Sequence, residues 1–407
     1  MARIAKFKAL RPTRDKVQLV ATRPYYSYKK NVLQAKLDSN PYTFLRIINP
    51  EFGHPIKTKA NSVERFELVK QGYEEFISNG ILVQDSQEHL YVYRQTTDTH
   101  SCIGVIAGAS IEEYLNKKIK IHEATLTSRE AIFEKYLDVV GYNAEPVLLS
   151  YKGSGEIQQQ LSKIIEQRPE YEFTTTDQIK HELWIASEKN ANDLQRYFED
   201  IKEVYIADGH HRSASSAALY NSKESQHPNA KNFLSYFVEE EQLNIIAFNR
   251  LIKSLNRTSV DGFLKRIGAL GTLKELSQGQ APKKNHTLNF YLNEQWYSLQ
   301  IDSKWIDEKH PVKSLDANLL TELILTPLLG ITDLKTSDAV DFLPGTFSVE
   351  NFQKELKKKS FALGFMLYPV NIQQIKAVAD AGLYMPPKST WIEPKLRSGL
   401  TIYNIHE

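Results

Sequence analysis

Residues 203–216 have the sequence EVYIADGHHRSASS, in which an acid, a glycine, two histidines and an arginine separate an apolar run from a run of small residues. The apolar run Glu203–Ala207 is β-branched and aromatic, which is typical of a buried strand. Residues 213–219 are small or helix-compatible and favour a closely packed helix. Asp208 and Gly209 are therefore predicted to form a strand-to-helix turn. Such a turn presents backbone N–H groups and the positive end of a helix, which attract an anion, most commonly phosphate.

The side chains at this turn suit a phosphate site. Arg212 would add a bidentate guanidinium, and Asp208 would add a hard oxygen ligand for Mg²⁺. The simpler interpretation is that Asp-Gly is only a turn and that the aspartate is an N-cap. The adjacent His210 and His211 favour a functional site, because neighbouring side chains point in different directions and rarely share one packing role.

Composition narrows the classes of protein to consider. The chain has 407 residues, with 41% hydrophobic and 25% charged residues, which is ordinary for a globular protein of two or three domains. The formal net charge of +2 gives no general attraction to nucleic acid or anionic lipid. The only cysteine, Cys102, lies in an apolar run and is expected to be a buried structural thiol. We expect a reducing, cytoplasmic setting, because the N-terminus lacks a secretion signal and no run of about 18 apolar residues could span a membrane.

The pattern of elements predicts an α+β fold with mixed sheets and flanking helices. In the middle of the chain, strand 181–186, helix 192–198, strand 203–207 and the helix after Arg212 form a βαβα unit, which is expected to bind its ligand at the carboxyl ends of its strands. Residues 287–301 are predicted to form a hairpin around Asn293-Glu294. Three regions are expected: an N-terminal α/β region at 1–150, a core with the Asp208 turn at 151–255, and a C-terminal α+β region at 256–407.

Two further segments are polar. The link Lys120–Thr125 contains His122 and Glu123, and the tail Met385–Leu400 contains three cations and three hydroxyl side chains among prolines that fix its path. Lys388-Ser389-Thr390 lacks the glycines of a phosphate loop, so a Walker motif is rejected. The tail is then either a rigid basic strand that reaches over the anion site or a chain end pinned by prolines, and both alternatives stay open.

These segments, in order, give the chain a family resemblance. Asn40–Arg46, Ile121–Thr125, Asp208–Arg212 and Met385–Leu400 resemble the bacterial and archaeal family known as domain of unknown function 1015. The turn also resembles that of the ParB/sulfiredoxin-like superfamily, which includes free-serine kinases. The kinase branch implies a βαβα phosphate-binding unit that transfers a phosphoryl group with Mg²⁺ from ADP, ATP or pyrophosphate to free L-serine. The product is O-phospho-L-serine, which implies a role in serine metabolism and cysteine biosynthesis.

The resemblance implies roles for particular residues. Glu123 is the expected base for the serine hydroxyl, with Glu182 in reserve. His122 is expected either to orient Glu123 or to make a purely structural hydrogen bond. Asp208 is expected to hold Mg²⁺, and His210 and His211 to bond phosphate oxygens or shuttle a proton. Phosphate or substrate binding is expected from Arg46, Gly209, Arg212, Ser213, Lys388, Ser389, Thr390 and Lys395.

The chain departs from the other branches of this superfamily. It has histidines where sulfiredoxins need a cysteine, and it lacks the helix-turn-helix and basic surface of ParB proteins. No nucleotide fingerprint is present, which favours pyrophosphate over ADP or ATP as donor. The expected partners are L-serine and the donor, without nucleic acid or membrane, and the oligomeric state is open with a homodimer as one option. Two alternatives remain: a metal-dependent phosphatase acting on phosphoserine-like substrates, and a non-catalytic ParB-like nucleotide- or DNA-binding protein.

Overall fold

The structure is a computed structural model that describes residues 2–53, 55, 57–223 and 227–407. Its strands are β1 (Ile4–Ala5), β2 (Ala9–Pro12), β3 (Leu82–Gln84), β4 (Tyr91–Thr96), β5 (Ser101–Ser110), β6 (Ile119–Lys120), β7 (Tyr142–Asn143), β8 (Val147–Tyr151), β9 (Tyr171–Thr174), β10 (Lys180–Ile185), β11 (Val204–Asp208), β12 (Asn232–Glu239), β13 (Asn244–Ile252), β14 (Gly271–Leu276), β15 (Thr287–Leu292), β16 (Gln295–Ile301), β17 (Val340–Pro344), β18 (Leu363–Met366), β19 (Thr390–Glu393) and β20 (Ile402–Asn404).

The helices lie between these strands. They are α1 (Val17–Val20), α2 (Lys30–Ser39), α3 (Phe44–Ile48), α4 (Val63–Ser78), α5 (Ile111–Leu115), α6 (Thr127–Val140), α7 (Gly155–Ile165), α8 (Glu188–Glu199), α9 (His210–Lys223), α10 (Val260–Gly268), α11 (Asp316–Leu320), α12 (Thr326–Leu329), α13 (Val349–Lys358) and α14 (Ile372–Asp380), with a π-helix at Thr321–Leu325. Among the helices of the described residues, none has the length and apolar character needed to cross a membrane.

The chain divides into two compact units. The first consists of Met1–Lys120, Thr125–Leu243 and Pro394–Glu407, and the second of Ile121–Ala124 and Asn244–Glu393. This division differs from the three predicted regions. The expected border at residue 150 falls inside the first unit, because β4 and β5 join one sheet with β8, β10 and β12. The expected border near 255 lies close to the observed change of unit after Leu243.

The first unit contains a mixed sheet, which confirms the predicted α+β class. Its nine strands include the order β6-β11-β8-β12-β5-β4-β10-β9, with β1 paired to β5. Strand β12 is parallel to β8 and antiparallel to β5. A second, four-stranded sheet has the order β3-β2-β20-β7, and the rings of Phe44, Tyr73 and Phe76 pack in its core. Cys102 is buried in β5, and burial raises the pKa of its thiol to about 12, so the prediction of a structural thiol is confirmed.

The predicted order of elements around the Asp208 turn is confirmed. Strand β10, helix α8, strand β11 and helix α9 follow one another along the chain. The two strands are not neighbours, however, because β4, β5, β12 and β8 lie between them in the sheet. The sequence contains no sign of this, since the intervening strands come from other parts of the chain.

The second unit is built on a sheet of seven strands. Its order is β14-β16-β15-β18-β13-β17, with β19 paired to the first half of β13. The predicted hairpin is confirmed as β15 and β16, and its turn residues Asn293 and Glu294 have positive φ angles of 47° and 65°, as a tight hairpin turn requires. One apolar cluster includes Phe290 and Phe365, and another includes Trp296 and Phe352.

Candidate functional site

The turn after β11 has the predicted strand-to-helix form. The strand ends at Asp208, and α9 begins at His210. Gly209 between them has a φ of +106°, a conformation that L side chains rarely adopt. A Cβ at this position would lie 3.0 Å from Nη2 of Arg212. Glycine therefore allows the positive φ angle of the turn, and it also lets the Arg212 guanidinium pack against the turn.

Two cations hold the Asp208 carboxylate. Nη2 of Arg212 donates to Oδ2 of Asp208 at 3.0 Å, and Nζ of Lys395 donates to Oδ1 at 3.2 Å. Nη1 of Arg212 donates to the carbonyl of Pro146 at 2.8 Å and lies 3.7 Å from Oε2 of Glu145. We refer to Glu145, Asp208, Arg212 and Lys395 as the Asp208 cluster.

The sheet topology explains why residues so far apart in sequence meet here. Strand β8 runs antiparallel to β11, with Leu148 opposite Asp208. The start of β8, just after Glu145 and Pro146, therefore lies beside the end of β11. The C-terminal tail reaches the same place because the N–H of Gly399 donates to the carbonyl of Ala144 at 3.0 Å. This bond fixes the segment that carries Lys395.

The tail is tied down at two more points. Ser398 and Thr22 exchange backbone hydrogen bonds of 2.8 and 3.1 Å. The buried Arg397 donates to Asp177 at 2.9 Å and to the ring of His181 at 3.2 Å. The part of the tail within the first unit is thus a fixed segment that places Lys395 on Asp208.

The cluster shifts the pKa values of its own acids in opposite directions. Burial raises the pKa of Asp208, but the charges of Lys395 and Arg212 outweigh burial and lower it to about 2. Burial raises the pKa of Glu145, and the adjacent Arg212 only partly offsets this. Burial also lowers the pKa of His210 to about 4, despite the nearby Asp208 carboxylate. At neutral pH, Asp208 is ionised and the His210 imidazole is neutral.

The arrangement can bind an oxyanion and a divalent cation. The cations of Arg212 and Lys395 both contact Asp208, which lies just before the first turn of a 14-residue helix. Cations beside a helix N-terminus favour phosphate or carboxylate oxygens as ligands. The ionised Asp208 supplies a hard oxygen ligand, and 34% of its side chain is exposed. Within residues 2–53, 55, 57–223 and 227–407, no group of three or more His, Cys, Asp or Glu is arranged to hold a metal ion.

Several predicted site residues lie in the second unit. His122 and Glu123 belong to its short segment Ile121–Ala124, and the carbonyl of His122 accepts a 2.9 Å bond from the N–H of Met385. Two of the predicted polar segments therefore meet within this unit. Lys388 is exposed, with Nζ 5.4 Å from the centroid of the Phe248 ring. Thr390 begins β19, opposite Ala247.

Three of the predicted phosphate ligands have structural partners instead. Arg46 donates to the carbonyls of Leu37 at 2.6 Å and Asn40 at 3.2 Å, so it caps the end of α2. The buried hydroxyl of Ser213 donates back to the carbonyl of His210 at 3.0 Å, within its own helix. The buried hydroxyl of Ser389 donates to the carbonyl of Pro386 at 2.7 Å and closes a turn. Small polar residues commonly form such local bonds, which a motif cannot distinguish from ligand contacts.

Glu182 does not qualify as the reserve base. It is buried in β10, where its carboxylate accepts bonds from Nε of Arg94 at 2.7 Å and from Nη2 at 2.9 Å. Four strands separate β10 from β11 in the sheet. Sequence reasoning also missed Glu145, because no local pattern marks an isolated glutamate before a strand.

The fold and the cluster define an α+β protein with a charged strand-to-helix turn at the end of β11. The protein-family comparison makes this more specific: the family described as "Protein of unknown function (DUF1015)" matches residues 4–318. The chain belongs to this family. No curated protein matches the sequence.

Solved structures with similarity to the chain include a mutant free serine kinase in complex with AMP. It is 11% identical with a TM-score of 0.37, and the match covers 74% of this chain and 92% of that one. SbnI from Staphylococcus aureus is 12% identical with a TM-score of 0.37, over 73% and 87% of the two chains. A conserved hypothetical protein from Pyrococcus furiosus is 14% identical with a TM-score of 0.36, over 74% and 95%. At this level of identity and superposition, these similarities carry no part of the functional proposal.

Proposed function

We propose that this protein is a phosphotransferase, a free L-serine kinase that makes O-phospho-L-serine, with pyrophosphate as the favoured donor and ADP or ATP as alternatives. The observation that carries the proposal is the Asp208 cluster at the start of α9. There, an ionised carboxylate lies between Arg212 and Lys395, beside a helix N-terminus. Phosphoryl transfer depends mainly on such positioned cations and an acid for the metal, rather than on covalent chemistry by the protein.

The cations of the cluster would bind the donor phosphates. Each already bonds one carboxylate oxygen of Asp208, and an incoming phosphate would take over part of these contacts while Mg²⁺ compensates the charge of Asp208. The two carbonyl contacts of Arg212, to Glu145 and Pro146, hold the guanidinium in place during this exchange. The phosphate would therefore meet a preorganised cation, which is the main requirement for stabilising charge in the transition state.

Asp208 would hold Mg²⁺, with Glu145 close to the same guanidinium as a second carboxylate. Protein sites often bind Mg²⁺ through one or two carboxylates together with substrate phosphates and water, and the cluster fits that pattern. When bound, Mg²⁺ would neutralise charge on the phosphoryl group during transfer. The low pKa of Asp208 keeps this carboxylate ionised and available across the physiological range.

The remaining roles rest on the resemblance together with the local chemistry. We propose Glu123 as the base that takes the hydroxyl proton of serine while serine Oγ bonds to phosphorus and the bond to the leaving phosphate breaks. His122 would orient Glu123. His210, neutral because of burial, and His211 would bond phosphate oxygens or relay a proton.

A direct assay separates the donors and the alternative functions. The protein is incubated with L-serine, Mg²⁺ and either pyrophosphate, ADP or ATP, and phosphoserine is followed by ³¹P NMR. We expect phosphoserine with pyrophosphate. Product only with ADP or ATP would reject the pyrophosphate donor, and no product with any donor would reject the kinase. Hydrolysis of added phosphoserine that is unaffected by pyrophosphate or ADP would favour a phosphatase instead.

Glu123→Gln tests the base in the same assay. Removing a general base should lower the maximal rate by about 10²-fold or more. The matched control is Glu182→Gln, since Glu182 is held by Arg94 and four strands lie between its strand β10 and β11. We expect that control to retain most of its turnover. An unchanged rate in the Glu123 variant would contradict its role.

A further inference from the structure

Arg250 is a fully buried cation in the middle of β13, in the second unit. Its guanidinium stacks on the ring of Phe342 at 4.8 Å, and Nη1 donates to the carbonyl of Phe248 at 2.7 Å. Among the described residues, no carboxylate forms an ion pair with it. Burial alone lowers its pKa, to about 9, and no acidic side chain in that part of the chain raises it. The group is still charged at neutral pH.

An unpaired buried charge is unusual because desolvation is costly. Removing an ion from water costs several kcal/mol unless an opposite charge or several hydrogen bonds compensate. The comparable residue in the first unit, Arg397, follows this rule: it is 4% exposed and pairs with Asp177. Arg250 has two carbonyl oxygens in place of an acid. The position is thus one where an external anion would be strongly favoured.

One edge of the Arg250 guanidinium has few hydrogen bonds. Within the residues that the structure describes, Nε has no hydrogen-bond partner, and Nη2 has only the carbonyl of Pro387 at 3.3 Å. The Nε–Nη2 edge is a fork that carboxylates and phosphates can bind through two parallel hydrogen bonds. Because Phe342 covers a face of the guanidinium and Nη1 is engaged, an anion would approach this edge.

A second cation lies close by. Lys388 follows Pro387 directly, is exposed, and has Nζ 5.4 Å from the ring of Phe248, whose carbonyl bonds Arg250. Its φ of +55° places it in the left-handed region, which is uncommon for lysine. In the described part of the chain, no acid pairs with Lys388 either. The turn at 386–388 thus has a buried cation beneath it and an exposed cation on it.

We propose that the Nε–Nη2 edge of Arg250, with Lys388 at its entrance, binds a small oxyanion, the phosphate or carboxylate group of a metabolite. The anion takes the place of the Pro387 carbonyl on Nη2, and the turn at 386–388 moves aside to admit it. Lys388 attracts the anion from solution, and Arg250 holds it by two bonds. This site lies within the second unit and does not require the phosphotransferase activity.

Binding is measured by calorimetry in an Arg212→Gln background, where the Asp208 cluster is broken. The protein is titrated at low salt with inorganic phosphate, pyrophosphate and acetate in separate experiments. We expect one anion per chain, and weaker binding as salt is added. Adding Lys388→Ala should weaken binding about fivefold, the effect of one partly screened charge. Adding Arg250→Met should abolish it.

Lys253→Ala is the matched control, since Lys253 follows β13 and is paired with Asp338. This change should leave anion binding unaltered. Saturation with phosphate or pyrophosphate but not acetate would identify a phosphate site, and the reverse would identify a carboxylate site. Equal binding by the parent, Lys388→Ala and Arg250→Met proteins would overturn the proposal, as would no binding by the parent. If Arg250→Met does not fold, the Lys388→Ala comparison decides alone.

Discussion

At the Asp208 turn, Arg212 and Lys395 contact a carboxylate, whereas in β13 the more deeply buried Arg250 donates only to main-chain carbonyls of the described residues. The two regions therefore handle positive charge differently. At the turn, each cation already contacts a carboxylate of the chain, so its charge is compensated before any ligand binds. In β13, the charge is balanced only when an anion comes from solution. The comparison indicates that nearby acids decide whether the charge of a buried cation is compensated within the chain or needs an anion from solution.

The largest expected effect comes from removing the carboxylate of Asp208 from the Asp208 cluster. Asp208→Asn removes the carboxylate that Arg212 and Lys395 both contact, and it would remove the ligand that we propose for Mg²⁺. In the proposed reaction, phosphoserine formation should fall by at least about 10²-fold, as for other losses of a preorganised charge. The free energy of unfolding at neutral pH should fall by only about 1 kcal/mol, because the side chain is one-third exposed.

The matched control for this variant is Asp85→Asn, which breaks the Arg11–Asp85 pair of the first unit. It should lower the melting temperature while turnover per folded molecule stays close to that of the parent. Unfolding of Asp208→Asn under conditions where the parent is folded would instead identify Asp208 as a structural cap.

The second prediction compares two deeply buried arginines. Arg397→Met removes the closer of the two arginines that pair with Asp177, since Arg23 lies at 3.8 Å, and should lower the free energy of unfolding by about 3 kcal/mol. Arg250→Met removes a charge that no acid of the described residues compensates, so its free energy of unfolding should change by less than about 1 kcal/mol. Urea denaturation in an anion-poor buffer measures both. Equal losses would mean that the carbonyl contacts of Arg250 compensate its charge as well as an acid does.

The third prediction concerns the C-terminal tail that brings Lys395 to the Asp208 cluster. Gly399 has a φ of +76°, and a Cβ there would lie 2.7 Å from the Phe44 ring, so Gly399→Ala adds a steric clash to backbone strain. We expect a loss of about 2 kcal/mol. Gly382→Ala is the control, because Gly382 has a φ of +66° but an added Cβ would meet no described atom within 4 Å, and it should cost about 1 kcal/mol.

Chemical denaturation measures both free energies of unfolding. If Gly399→Ala costs no more than Gly382→Ala, the tail is able to shift away from Phe44, and its fixed placement of Lys395 is then in doubt.

The smallest expected effect is a pH dependence of the cluster. The pKa of Asp208 in the folded protein, about 2, is below its ordinary value of 3.8, so its stabilising contribution is present above pH 4 and is lost as the pH falls toward 2. The difference in unfolding free energy between the parent and Asp208→Asn should shrink by about 1 kcal/mol over this range, after allowance for solvent screening.

Glu145 should show the opposite sign. Its pKa is raised, so its contribution is complete below its ordinary pKa and is lost as the pH rises through the raised value. The difference between the parent and Arg250→Met should stay flat from about pH 2 to 5, since Arg250 does not titrate there. Urea denaturation of Asp208→Asn, Glu145→Gln and Arg250→Met at several pH values tests these expectations. A parallel trend for Asp208→Asn and Glu145→Gln would contradict the opposite pKa shifts of Asp208 and Glu145.

Much of the local structure could be predicted from the sequence. The Asp208 turn follows from an apolar strand, a glycine and a run of small residues, and the hairpin at Asn293-Glu294 follows from alternating strands around a turn pair. These features depend on neighbouring residues only. Residue type and motif predict Arg46, Ser213 and Ser389 as ligands, but each bonds a nearby carbonyl, which residue type alone cannot exclude.

The amino-acid sequence by itself determined the turn, its glycine, and the aspartate and arginine four residues apart, because short-range backbone preferences place them. Only the tertiary structure decided what surrounds them. Glu145 and Arg212 are 67 residues apart, and Lys395 and Asp208 are 187 apart, yet strand order and the docked tail bring them together. The absence of an acid beside Arg250, within the described residues, is also a tertiary property. Charge compensation depends on distances through space, which chain order does not specify.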